Sequence, residues 1–66
     1  MDVATLADLL HETGEHHGHY EATHAEHDWW NWYAAYLSAR LDGVGSAEAS
    51  ASADRYMDDV FHTPLR

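Results

Sequence analysis

Apolar positions recur at steps of three and four along nearly the whole chain and nowhere alternate, which predicts helices and no strands. In the first segment Leu6, Leu10, Thr13, His17, Tyr20 and His24 fall along one face, a stripe that begins aliphatic and ends in imidazole. Asp2 or Thr5 offers the side-chain oxygen that caps its start. Gly14 and Gly18 interrupt it, each at about 1 kcal/mol relative to Ala, so the segment is expected to bend, loosen, or use them for close approach of another helix. The second segment starts near His27 or Asp28 and carries Trp29, Trp32, Tyr33, Tyr36, Leu37 and Leu41 to a stop at Asp42-Gly43. Trp30 points away from the centre of that face. Ser46 is expected to cap the third segment, with Ala49, Ala53, Tyr56, Met57 and Val60 or Phe61 inward, and Pro64 ends the regular structure.

The pattern thus predicts an all-α, three-helix arrangement over a single domain, residues 1–66, with helices near 3–22, 28–42 and 46–62. It forms either a compact bundle or half of a dimeric one. The homodimer is favoured, because the aromatic helix carries more apolar surface than two short, partly polar neighbours cover, and a chain this short buries a small share of its surface alone.

Composition narrows the function. Twelve acidic residues against three arginines and no lysine give a charge of −9, which disfavours nucleic acid and anionic membranes as partners. Adding seven positive charges, one per histidine, would leave −2, so a pH-responsive assembly element is one reading of this chain. With no cysteine, disulfides and thiolate metal sites are excluded, and any metal must be held by His, Asp or Glu. No apolar run approaches the roughly 20 residues of a membrane span, and the N-terminus lacks the basic and apolar regions of a secretory signal. A cytoplasmic location is expected.

Six of the seven histidines lie between His11 and His27 and run into the aromatic block. His17, Glu21 and His24 share one side of a continuous helix, and Glu21-Ala-Thr-His24 has the Glu-x-x-His spacing of carboxylate metal centres. Glu12, His16 and His19 repeat the pattern alongside. Residues seven apart are separated by about 10 Å along a helix axis, so ligand pairs completed by a second helix, most simply across a dimer, are expected. Such a donor set suits Zn, Fe, Ni or Mn. The aromatic block offers a different site, in which Trp30 and a neighbouring ring hold a small cationic or aromatic ligand against Glu26, Asp28 and His27. Acid–base work by His24 or His27 with Glu21 lacks an accompanying nucleophile, oxyanion motif or phosphate loop, so the chain reads as a non-enzymatic binding or interaction module.

The runs EHHGHYEAT (residues 15–23) and HDWWNWYAAYL (residues 27–37) resemble a small helical segment of actinobacterial proteins, some labelled glyoxalase/bleomycin resistance proteins. The resemblance covers most of residues 6–57. The glyoxalase-like module itself is built of βαβββ units whose strands supply metal ligands, and this chain has no such strands, so none of those ligands carries over. What the resemblance implies is association with such proteins, as an appended or stand-alone helical domain, and sequestration of a cationic, aromatic, metal-chelating drug.

Overall fold

The computed structural model describes residues 1–65. It contains α1 (Val3–Thr23), α2 (Trp29–Leu41) and α3 (Ser46–Tyr56), the last running into a π-helical turn at Met57–Phe61. Among the described residues there is no strand, only an isolated antiparallel bridge between His24 and Leu65. The homodimer lies outside what a single chain displays.

Each helix begins and ends for a local reason. At α1 the Asp2 carboxylate accepts the Thr5 backbone N–H at 2.8 Å, one of the donors a helix start leaves unpaired. Thr5, through its side chain first and this backbone N–H second, holds that carboxyl below its ordinary range. Asp28 occupies the cap position of α2 without making a side-chain cap bond. Gly45, not Ser46, takes the cap position of α3; Ser46 is already the first helical residue. Gly43 ends α2 with φ +90°, a left-handed conformation that a side chain resists. α1 runs unbroken through both of its glycines. Gly14 instead admits α2, since a Cβ there would stand 3.0 Å from the Tyr33 hydroxyl.

The core consists of Tyr20, Trp32, Tyr36, Ala49, Ala53 and Met57. Ala49 and Ala53 let α3 lie close against Trp32 and Tyr36, whose rings stack at 5.3 Å. Polar groups in this interior are paired. The Trp32 indole N–H donates to Asp54 at 3.0 Å, Ser50 and the His16 Nδ1 share a 2.7 Å bond, and the Thr13 hydroxyl donates to the Leu9 carbonyl.

The inward stripes are shorter than the periodicity suggests. Leu6 and Leu10 on α1, Trp29 and Leu41 on α2, and Tyr56, Val60 and Phe61 at the end of α3 are all substantially exposed. The reason is geometric: α2 and α3, of 13 and 11 residues, are shorter than the 21-residue α1, whose buried residues, Thr13, His17 and Tyr20, all lie from its midpoint onward. The π-turn compounds this at the C-terminal end by rotating the residues after Met57 away from the core stripe. Beyond it His62 adopts a left-handed φ of 53° and the chain turns back, so that the Ala25 N–H donates to the Pro64 carbonyl at 2.9 Å. This return segment straps down the connection between α1 and α2.

Candidate functional site

The imidazole end of α1 meets the start of α2 at a pair of histidines. His17 is buried, 6% exposed, among Trp32 and Tyr33, with ring centroids 5.5 and 5.3 Å away. His27 reaches back from the connection until its Nε2 stands 2.9 Å from the His17 Nε2. Tyr20 lies edge-on to His27 at 5.0 Å, so both imidazoles are held by aromatic packing as well as by each other.

The protons in this pair follow from its partners. His27 Nδ1 lies 2.9 Å from the Ala25 carbonyl, which can only accept, so Nδ1 carries a hydrogen. In the neutral ring that leaves the lone pair on Nε2, and His17 must donate from its own Nε2. Burial pushes the His17 pKa down; the nearby Glu21 carboxylate opposes that and His27 adds to it. His17 is therefore biased toward the neutral form.

An open groove of about 540 Å³ runs beside His27, lined also by Gly18, Glu21, Ala22 and Glu26. A second cavity of about 300 Å³ lies on the other side of the connection, with Glu26, His27 and Asp28 against Met57 and Phe61. Glu26, His27 and Asp28 are thus brought together as the sequence suggests. Trp30 does not line that cavity; it is 53% exposed and lies edge-to-face with Trp29.

The expected set His17, Glu21 and His24 is divided. His24 is the C-cap of α1, with extended φ and ψ, so the helix no longer carries it along the line of His17 and Glu21. Its ring stacks on Tyr20 at 3.8 Å and its Nδ1 donates to the Tyr20 carbonyl. Among the described residues no group of three His, Asp or Glu side chains is already arranged around a common point. The parallel pattern Glu12, His16 and His19 is absorbed by the fold, since His16 stacks on Tyr36 and Glu12 joins a separate polar network.

In that network the Tyr36 hydroxyl donates to Glu12 Oε2 at 2.5 Å and the Arg40 Nε donates to the same oxygen at 2.8 Å. Arg40 Nη1 also caps the Val44 carbonyl at 3.0 Å, which ties the α2–α3 turn to α1. Arg40 first, and Tyr36 second, hold the Glu12 carboxyl below its ordinary range. Burial, followed by the Glu12 carboxylate, pushes the Tyr36 phenol up to about 12. The spacing of Glu12, Tyr36 and Arg40 across two helices carries no short-range signal, which is why it is invisible in the sequence.

These features define an all-helical protein, and no helix among its described residues is long and apolar enough to cross a membrane. No protein family, curated protein or solved structure matches the chain.

Proposed function

We propose that the protein is a non-enzymatic, acidic helical interaction module that pairs with a second copy of itself along the open edge of its first two helices. The observation that carries this reading is the pair Trp29 and Trp30, each more than half exposed and packed edge-to-face at 5.7 Å. Exposed apolar clusters mark interaction surfaces, and buried tryptophans supply much of the energy where a partner covers them. On α1, Val3, Leu6 and Leu10 follow at steps of three and four and stay exposed. A standard interface of roughly 800 Å² per partner would take about a fifth of the 4383 Å² surface.

Charge distribution favours a second copy as the occupant. On α1 the 100° helical step places Asp8, Glu12 and Glu15 on the side away from Val3, Leu6 and Leu10. Two copies can therefore meet along uncharged stripes of α1, leaving Asp8 and Glu15 in water and Glu12 on Arg40 and Tyr36. Each copy still carries −9, so the pair forms against a long-range repulsion that salt screens. The lack of cysteine suits a reducing cytoplasm.

Sedimentation equilibrium of untagged protein at neutral pH tests this reading. The expected result is a monomer–dimer equilibrium that tightens with ionic strength, with Trp29→Ser and Trp30→Ser together weakening it by about tenfold or more at unchanged helicity. A monomer that persists at millimolar protein in high salt, or a dimer indifferent to both tryptophans, refutes it.

A further inference from the structure

The two imidazole nitrogens at the heart of the molecule face one another at 2.9 Å, a separation one shared proton explains but that also lies close to the spacing of two ligands on one ion. Bonds of about 2.0–2.1 Å at a tetrahedral angle put two nitrogens about 3.4 Å apart, so opening the pair by roughly 0.5 Å makes room. His27 already has the arrangement typical of a metal-bound histidine, with Nδ1–H held by the Ala25 carbonyl at 2.9 Å and Nε2 turned inward. His17 reaches its own ligand form by moving one proton from Nε2 to Nδ1 through water. The two neutral rings then offer two lone pairs with no net gain or loss of protons.

The surroundings supply what a cation needs next. Glu21 sits one helical turn after His17, at the spacing that brings side chains to within reach of each other, and lines the same groove as His27 and Glu26. Neither glutamate takes part in an ion pair among the described residues. Gly18 has open space where its side chain would be, so the groove stays accessible beside His27. The geometry points to a transition-metal site here: Zn(II) or a neighbouring divalent first-row ion, held by Nε2 of His17 and Nε2 of His27, with the Glu21 carboxylate as third ligand and water in the open position. Two ligands are in place and the third swings in from the exposed face of α1. His24, fixed to the Tyr20 carbonyl through its Nδ1, takes no part.

Co(II) is the probe, added to the full, untagged chain and then displaced by Zn(II). The expected result is one Co(II) per chain with visible ligand-field bands. His27→Gln is expected to weaken binding by at least about 100-fold, more than the loss of a supporting partner costs, and Glu21→Gln by about tenfold. His24→Gln and His19→Gln leave the affinity within about twofold. His17 is packed in the core and its substitution threatens the fold, whereas Glu21 is exposed, so a Zn(II)-induced thermal shift that is smaller in Glu21→Gln than in the wild type is the decisive second measurement, and an unchanged shift overturns the assignment of Glu21. No saturable binding, unchanged binding by His27→Gln, or an equal loss in His24→Gln overturns the assignment. None of these outcomes depends on whether the chain dimerises.

Discussion

Replacing Tyr36 by Phe isolates one charge-assisted polar contribution in the interior. The ring keeps its volume and its stacking on His16 and Trp32, both at 5.3 Å, and only the hydroxyl that donates to Glu12 at 2.5 Å is removed. Glu12 retains Arg40 at 2.8 Å, so no carboxylate is stranded. A hydrogen bond to a charged group contributes about 1.5–3 kcal/mol. Burial first, and the Glu12 carboxylate second, raise the Tyr36 pKa from 10.0 to about 12, so the bond supplies only part of that rise. Total stability for a chain of this size is about 3–10 kcal/mol, so the variant loses a large fraction of it. The sign with pH is fixed by the same shift. A group whose folded pKa lies above its unfolded value contributes fully below the unfolded value, here 10.0, and loses that contribution as pH rises towards 12. Urea unfolding followed by circular dichroism at pH 7 and at steps between 10 and 12 checks both halves. Tyr20, also pushed up by burial, gives wild type and variant a common alkaline loss. The wild type must lose more. A deficit below about 0.5 kcal/mol at pH 7, or identical alkaline losses, refutes the assignment of this energy to the Tyr36–Glu12 bond.

Two further predictions rest on α1. The depressed pKa of His17 means that its contribution to stability is complete above 6.5 and is lost as pH falls from there towards the folded value, so the urea midpoint should drop between pH 7.5 and 5.5 while the His17 ring resonances titrate below 6.5; a His17 that titrates above 6.5 contradicts this. Gly18→Ala should raise stability by about 0.5–1 kcal/mol in thermal unfolding, because its side-chain space is open, whereas Gly14→Ala should gain less since the new Cβ meets the Tyr33 hydroxyl at 3.0 Å; equal gains would show that this contact costs nothing.

Helix number, type and approximate limits were legible because they depend on short-range periodicity and capping. The 3.6-residue pattern and Asp2 place α1, and Asp42-Gly43 closes α2 as expected. What failed depends on how far the helices overlap. Trp29, Phe61 and Val60 follow apolar stripes and yet remain outside, because α2 and α3 are too short to cover them and the π-turn shifts the register after Met57. At the candidate site, helical spacing puts Glu21 one turn after His17 on α1, and α1 is continuous over both. It also assigns His24 to the same line, and that fails because the helix ends there and the next turn of side chains comes from the connection instead. The sequence offers His27 to the aromatic ligand site or to acid–base work with Glu21, and nothing in it pairs His27 with His17; that place is set by the fold of residues 24–28, which no periodicity describes.

The strap formed by residues 63–65 bears on the order of folding. Joining Ala25 to Pro64 closes a loop of roughly 40 residues, whose entropy is unfavourable until α2 and α3 have paired and shortened the effective distance. The strap therefore closes after the hairpin of α2 and α3 and is the first contact to open in the native state. Hydrogen exchange at the Ala25 amide should accordingly report a local opening of lower free energy than exchange in the middle of α2. Because His27 is hydrogen-bonded to the Ala25 carbonyl, the geometry of the His17–His27 pair is governed by the molecule's last-formed and most readily released contact.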